Sequence, residues 1–103
     1  MGRMRHHTIV ITDWDEATLA EIHATASALE CRPSEIVRSE INGYASFFVP
    51  PDGSKEGWQD SERGDWRRAR LVEALAASAC DWVEIEFGGD SAAAIVRDVM
   101  SGE

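Results

Sequence analysis

Long apolar runs are missing from this sequence, and none approaches the ~20 residues that would cross a bilayer. The N-terminal Met1-Gly2-Arg3-Met4-Arg5-His6-His7 also lacks the apolar stretch of a secretory signal. A cytoplasmic protein without membrane contact is therefore expected. Cysteine is scarce: Cys31 and Cys80 have neither C-x-x-C spacing nor histidines at ligand intervals, which predicts free thiols and no zinc site. His6, His7 and His23 lack i, i+4 or His-x-His spacing, and neighbouring His6 and His7 on a strand point to opposite faces, so no metal is expected. Positive charge is in short supply as well. Nineteen acidic against 10 basic side chains leave a net charge of -9 and a pI near 4.7. Such a field repels phosphate backbones and argues against direct nucleic-acid binding.

Signatures of catalysis are absent too. Gly53-Ser54-Lys55 lacks the spacing of a phosphate loop, and no serine sits in a nucleophile elbow. An acyl-phosphate-cleaving enzyme would need an anion-binding loop after its first strand, but here that loop is Asp13-Trp14-Asp15-Glu16, which repels anions. The expectation is a non-enzymatic protein without a cofactor.

What is present fits one domain. A chain of 103 residues with 44% apolar content has room for one sheet, one helical layer and one core. His7 to Thr12 is β-branched and apolar at its centre, the mark of a central strand. Asp13 stands in capping-box spacing from Glu16, and Leu19, Ile22, Ala26 and Leu29 then mark one face of a helix ending near Glu30. Asn42-Gly43 between two β-rich runs predicts a two-residue hairpin turn, pairing Ile41 with Tyr44, Ser39 with Ser46 and Val37 with Phe48. The arm carrying Arg38 and Glu40 is the expected edge strand.

Residues 50–60 read as a long loop, and a second helix is expected to start between Asp60 and Asp65 and run to about Ser78, with Ala69, Val72, Ala76 and Ala79 on one stripe and Leu71 and Leu75 beside it. Asp81 to Phe87 alternates, Trp82, Glu84 and Glu86 marking the wet face of an antiparallel strand. Residues 92–103 form a C-terminal extension in which Ile95-Val96 favours a fifth strand over a short helix, and residues 1–6 read as a flexible tail. The order βαββαβ is met most simply by an α+β, ferredoxin-like two-layer sandwich: an antiparallel sheet, two helices on one face, and central first and third strands.

That topology gathers loops at two ends. Trp14 and Trp82 come near Asp15 and Asp81, an aromatic patch ringed by carboxylates, as protein-binding hot spots are built. The competing reading is that the aspartates cap the helix and the tryptophans close the core. At the other end, Lys55 and Trp58 on the long loop are candidate partner contacts. An RNA-recognition reading is weaker: Tyr44, Phe47 and Phe48 lie on the right strand, but the charge is wrong.

The runs His7–Thr12 with Asp13-Trp14-Asp15-Glu16, Asn42-Gly43-Tyr44, Ser46-Phe47-Phe48 and Pro51–Trp58 resemble those of small phage- and prophage-encoded proteins of uncharacterised function, over about residues 6 to 88. The resemblance brings no catalytic residues with it. It implies a context in which small acidic proteins bind host proteins, including bacterial defence complexes with basic surfaces. The expected function is a non-enzymatic protein-binding protein, extending to an anti-CRISPR-like inhibitor in the host cytoplasm that occupies a basic surface as a monomer or homodimer. The alternative is a dimeric ferredoxin-like domain that binds a small ligand or performs simple cavity chemistry. Apolar side chains on the free sheet face, together with Trp58, would favour it.

Overall fold

The computed structural model describes residues 6–53, 61–89 and 94–100. Lys55, Trp58, most of the long loop, residues 1–5 and the end of the C-terminal extension lie outside the described residues. The elements are β1 (His6–Asp13), α1 (Glu16–Ala28), β2 (Val37–Arg38), β3 (Ala45–Val49), α2 (Ser61–Ala76), β4 (Asp81–Phe87) and β5 (Ile95–Met100). They form one five-stranded antiparallel sheet in the order β2-β3-β1-β4-β5. This is the ferredoxin-like arrangement with both helices on one face, and β5 is added as a hairpin along β4.

Strand period and register together define two faces. Ile9 lies opposite Val49 and Glu84, and Ile11 opposite Phe47 and Trp82. These side chains share the face on which Leu19, Ile22 and Ala26 of α1 and Leu71 and Leu75 of α2 close the core. Val10 lies opposite Phe48 and Val83 on the other face, which no helix among the described residues covers.

α1 uses its expected face but a different cap. The Asp15 carboxylate accepts from the Ala17 amide at 3.0 Å and from the Thr18 hydroxyl at 3.0 Å, so Asp15, not Asp13, is the N-cap. Asp13 acts one step earlier and accepts from the Asp15 amide at 3.2 Å. At the C-terminus, Glu30 takes φ 60° while its amide donates to Ser27 and that of Cys31 to Ala26. That pairing is a Schellman closure, in which glycine usually fills the left-handed position.

Three further local expectations shift. The hairpin pairs Val37 with Ser46 and Arg38 with Ala45, two residues away from a two-residue turn, although Asn42 and Gly43 do take positive φ of 65° and 69°. The Ser39 amide donates to the Tyr44 carbonyl and its hydroxyl accepts from the Ile41 amide, so the loop closes over residues 40–43. The buried stripe of α2 is Gly64, Arg68, Leu71 and Leu75, whereas Ala69, Ala76 and Ala79 are exposed. Exposing alanine costs little and the leucines must be covered, so the larger side chains set the helix rotation. Arg68 hid the pattern: it is buried because it pairs with Asp52 at 2.6 Å and also with Asp65. Finally, Trp82 and Glu84 face the helices rather than solvent, and both are buried.

Candidate functional site

Three places merit a chemical reading. The first is the end of the sheet where β1 leaves and β3 and β4 begin. Trp14, between β1 and α1, is 67% exposed, Tyr44 is 39% exposed and Asp81 is exposed at the start of β4. Asp15 is here as well, but its carboxylate is engaged in capping. Trp82 does not join this patch: it is 6% exposed, packed in the core, with its indole Nε1 meeting no hydrogen-bond partner among the described residues. The expected pair of tryptophans is therefore one surface residue and one core residue. Beneath the patch, the Cys80 thiol donates to the Asp13 carboxylate at 3.4 Å. Burial raises its pKa most, a Ser78 contact pulls it back, and Asp13 raises it again, to about 11. At neutral pH such a thiol is protonated and inert.

The second place is a cleft of about 490 Å³ at the opposite end, lined by Glu30, Cys31, Arg32, Pro50, Pro51, Asp52 and Arg67. Its charges largely compensate: Arg67 reaches Glu30 at 3.5 Å. Burial pushes the Cys31 thiol up, against the pull of Arg67 and Arg68. An uncharged thiol is a poor nucleophile, so Cys31 is not activated here. Cys31 and Cys80 are both free, as their spacing predicts. Among the described residues, no three His, Cys, Asp or Glu side chains converge as metal ligands. No helix among them is long and apolar enough to cross a membrane.

The third place is the open face of the sheet, where apolar side chains are the expected mark of the dimeric alternative, although no site residue on it was named from sequence. Phe48 (43% exposed), Val10 (37%) and Val83 form one row across β3, β1 and β4. Ile85 and Val96 continue it towards β5, Phe87 packs against His6 with ring centroids 5.3 Å apart and planes tilted by 46°, and Val37 adds to it on β2. The hydroxyls here bond within the chain. Thr8 donates to the Val49 carbonyl at 2.7 Å, and the Thr12 and Ser46 hydroxyls bond each other at 2.8 Å. Among the open-face residues of β1, β3 and β4, the only carboxylate is Asp81, at a corner. The usable signal was the pairing of Ile9 and Ile11 against Val10, but it becomes decisive only once the β1–β4 register shows which way Glu84 points.

The sequence candidates thus separate. Trp14, Asp15 and Asp81 lie at one end, Trp82 is in the core, and Lys55 and Trp58 are outside the described residues. Compared with protein-family models, with curated proteins and with solved structures, the chain matches none.

Proposed function

We propose that this protein acts by binding another protein, not by catalysis, and that its acidic exterior occupies a basic surface on that partner. One observation carries the reading: Trp14, two-thirds exposed, stands at the sheet end beside Asp81 and Tyr44 in a chain of net charge -9. An exposed tryptophan among carboxylates joins a large contact area to a field that attracts and orients a cationic surface. In its narrower form the proposal is a phage-encoded, anti-CRISPR-like inhibitor of a bacterial defence complex, acting in the host cytoplasm without a cofactor. The resemblance of its sequence segments to phage proteins supports that form.

The test is capture from bacterial lysate with the tagged full chain, the Trp14→Ala variant and Asp81→Lys. Both substitutions alter exposed side chains and should leave the circular dichroism spectrum unchanged. The expected partner is a basic protein released between low and moderate salt, its recovery falling at least about tenfold with Trp14→Ala, the size of a moderate hot spot. Asp81→Lys should slow association and flatten its salt dependence, because steering is screened over ~10 Å at 0.1 M salt. Equal capture by all three folded proteins would rule out this end as the interface.

A further inference from the structure

We propose that the open face of the sheet is the contact surface for a second copy of this chain, the two sheets packing face to face about a two-fold axis. This goes beyond the binding function above, which uses the Trp14 end.

Three observations lead to a second copy instead of the basic partner. The first is charge. The chain carries 19 acidic residues, yet Asp81 alone represents them among the open-face positions of β1, β3 and β4. A surface made to meet arginines and lysines would present carboxylates here. This one presents Val10, Phe48, Val83, Ile85 and Phe87, which match an uncharged apolar surface, and their own face is one. Two such faces meet without opposing like charges at their centre, although each protomer carries -9.

The second is the cost of drying the face. Thr8 donates its hydroxyl to the Val49 carbonyl, and one of the Thr12 and Ser46 hydroxyls donates to the other, so covering them strands at most one of the three donors. The third is size. β1, β3, β4 and β5, at ~4.8 Å spacing and ~20 Å length, make a flat face of roughly 19 by 20 Å, to which the two-residue β2 adds little. Before side-chain relief that is about half of the ~800 Å² per partner of an ordinary stable interface, the size of a weak, concentration-dependent pair. Two sheets packed this way lie ~10 Å apart with side chains interleaved, the separation these valines and phenylalanines fill.

Sedimentation equilibrium of the full chain across about 1 to 100 µM, a range chosen to span ordinary dimer affinities, should give twice the 11.4 kDa chain mass. Val10→Lys with Phe48→Lys, which brings like charges together across the axis, should sediment as a folded monomer where the wild type is dimeric. Should that variant fail to fold, hydroxyl-radical footprinting of the wild type gives the same information. Phe48 and Phe87 should be protected at the high concentration and reactive at the low one, while Trp14 and Trp66 react alike at both. A wild type that is monomeric throughout overturns the proposal. So does a dimer that survives the double substitution, or one whose Phe48 and Phe87 stay reactive.

Discussion

Beneath the helices the sheet buries Ile9, Ile11, Phe47 and Val49, but it also buries His7, Asp13 and Glu84. On the opposite side it exposes Val10, Phe48 and Phe87, while the hydroxyls beside them are bonded within the chain. The covered face is thus the one that holds ionisable groups, and the uncovered face is nearly free of them. Burial of a polar group is tolerated where it has partners, as Asp13 has in the Asp15 amide and the Cys80 thiol. Exposure of an apolar row has no such local remedy; it is relieved only by another surface.

The largest expected effect separates two adjacent phenylalanines. Phe47→Ala empties a core position against His23, whose ring lies edge-on at 4.9 Å, and should cost ~3–5 kcal/mol. Phe48→Ala, measured by urea denaturation at a concentration low enough to keep the chain monomeric, should cost less than ~1 kcal/mol. Equal losses would mean that both faces belong to the core of the single chain.

A second contrast lies in pH. The Cys80 thiol is raised in the folded state to about 11, above its value in the unfolded chain, so the folded state holds the proton more tightly. Its contribution to stability is fully present below about pH 9 and is lost as pH rises towards about 11. Thermal melts across that window should show this loss in the wild type and a shallower slope in Cys80→Ala. Identical slopes would remove Cys80 from the covered layer's energetics.

Smaller again is the contrast between two aspartates at one end of the sheet. Asp15→Ala removes the N-cap of α1 and should cost ~1 kcal/mol, whereas Asp81→Ala should stay within ~0.5 kcal/mol. A reversal in chemical denaturation would exchange their roles. The smallest effect expected is a gain. Glu30 holds φ 60° at the end of α1, so Glu30→Gly should stabilise by several tenths of a kcal/mol, offset in part by the flexibility glycine adds to the unfolded chain and by loss of the Arg67 contact.

Element order was legible because each element carries its own period: β-branched alternation in β1 and β4, apolar spacing in α1, and Asn42-Gly43 between two arms. The sheet order followed from connection rules. Lost were the features that depend on contacts distant in sequence. The α2 stripe is hidden by Arg68, whose partner Asp52 lies near the start of the long loop. The hairpin register turns on Ser39 and Ser34, whose side chains replace backbone partners: the Phe48 amide donates to the Ser34 hydroxyl at 2.9 Å. Alternation in β4 marked two faces correctly but not which one is inside, since Glu84 and Glu86 look like solvent residues until β1 is laid beside them. The same error put Trp82 on the surface and left Val83, Ile85 and Phe87 unrecognised as the outer row. Trp14 and Asp81 are exposed, as their places in the turn after β1 and at the first position of β4 lead one to expect.

The edge strand β2 is only two residues long, and the other edge, β5, pairs with β4 through a register shift at Glu84/Ile85. A strand this short offers an incoming chain too few free amides and carbonyls to template a sixth strand, and an irregular edge twists away from one. Growth by edge addition repeats without limit, because each added copy presents a new edge, whereas contact across a face is used up once two copies meet. For the proposed face-to-face pair, the blunt edges among the described residues mean that a closed dimer, and not an open-ended fibre, is the assembly to expect.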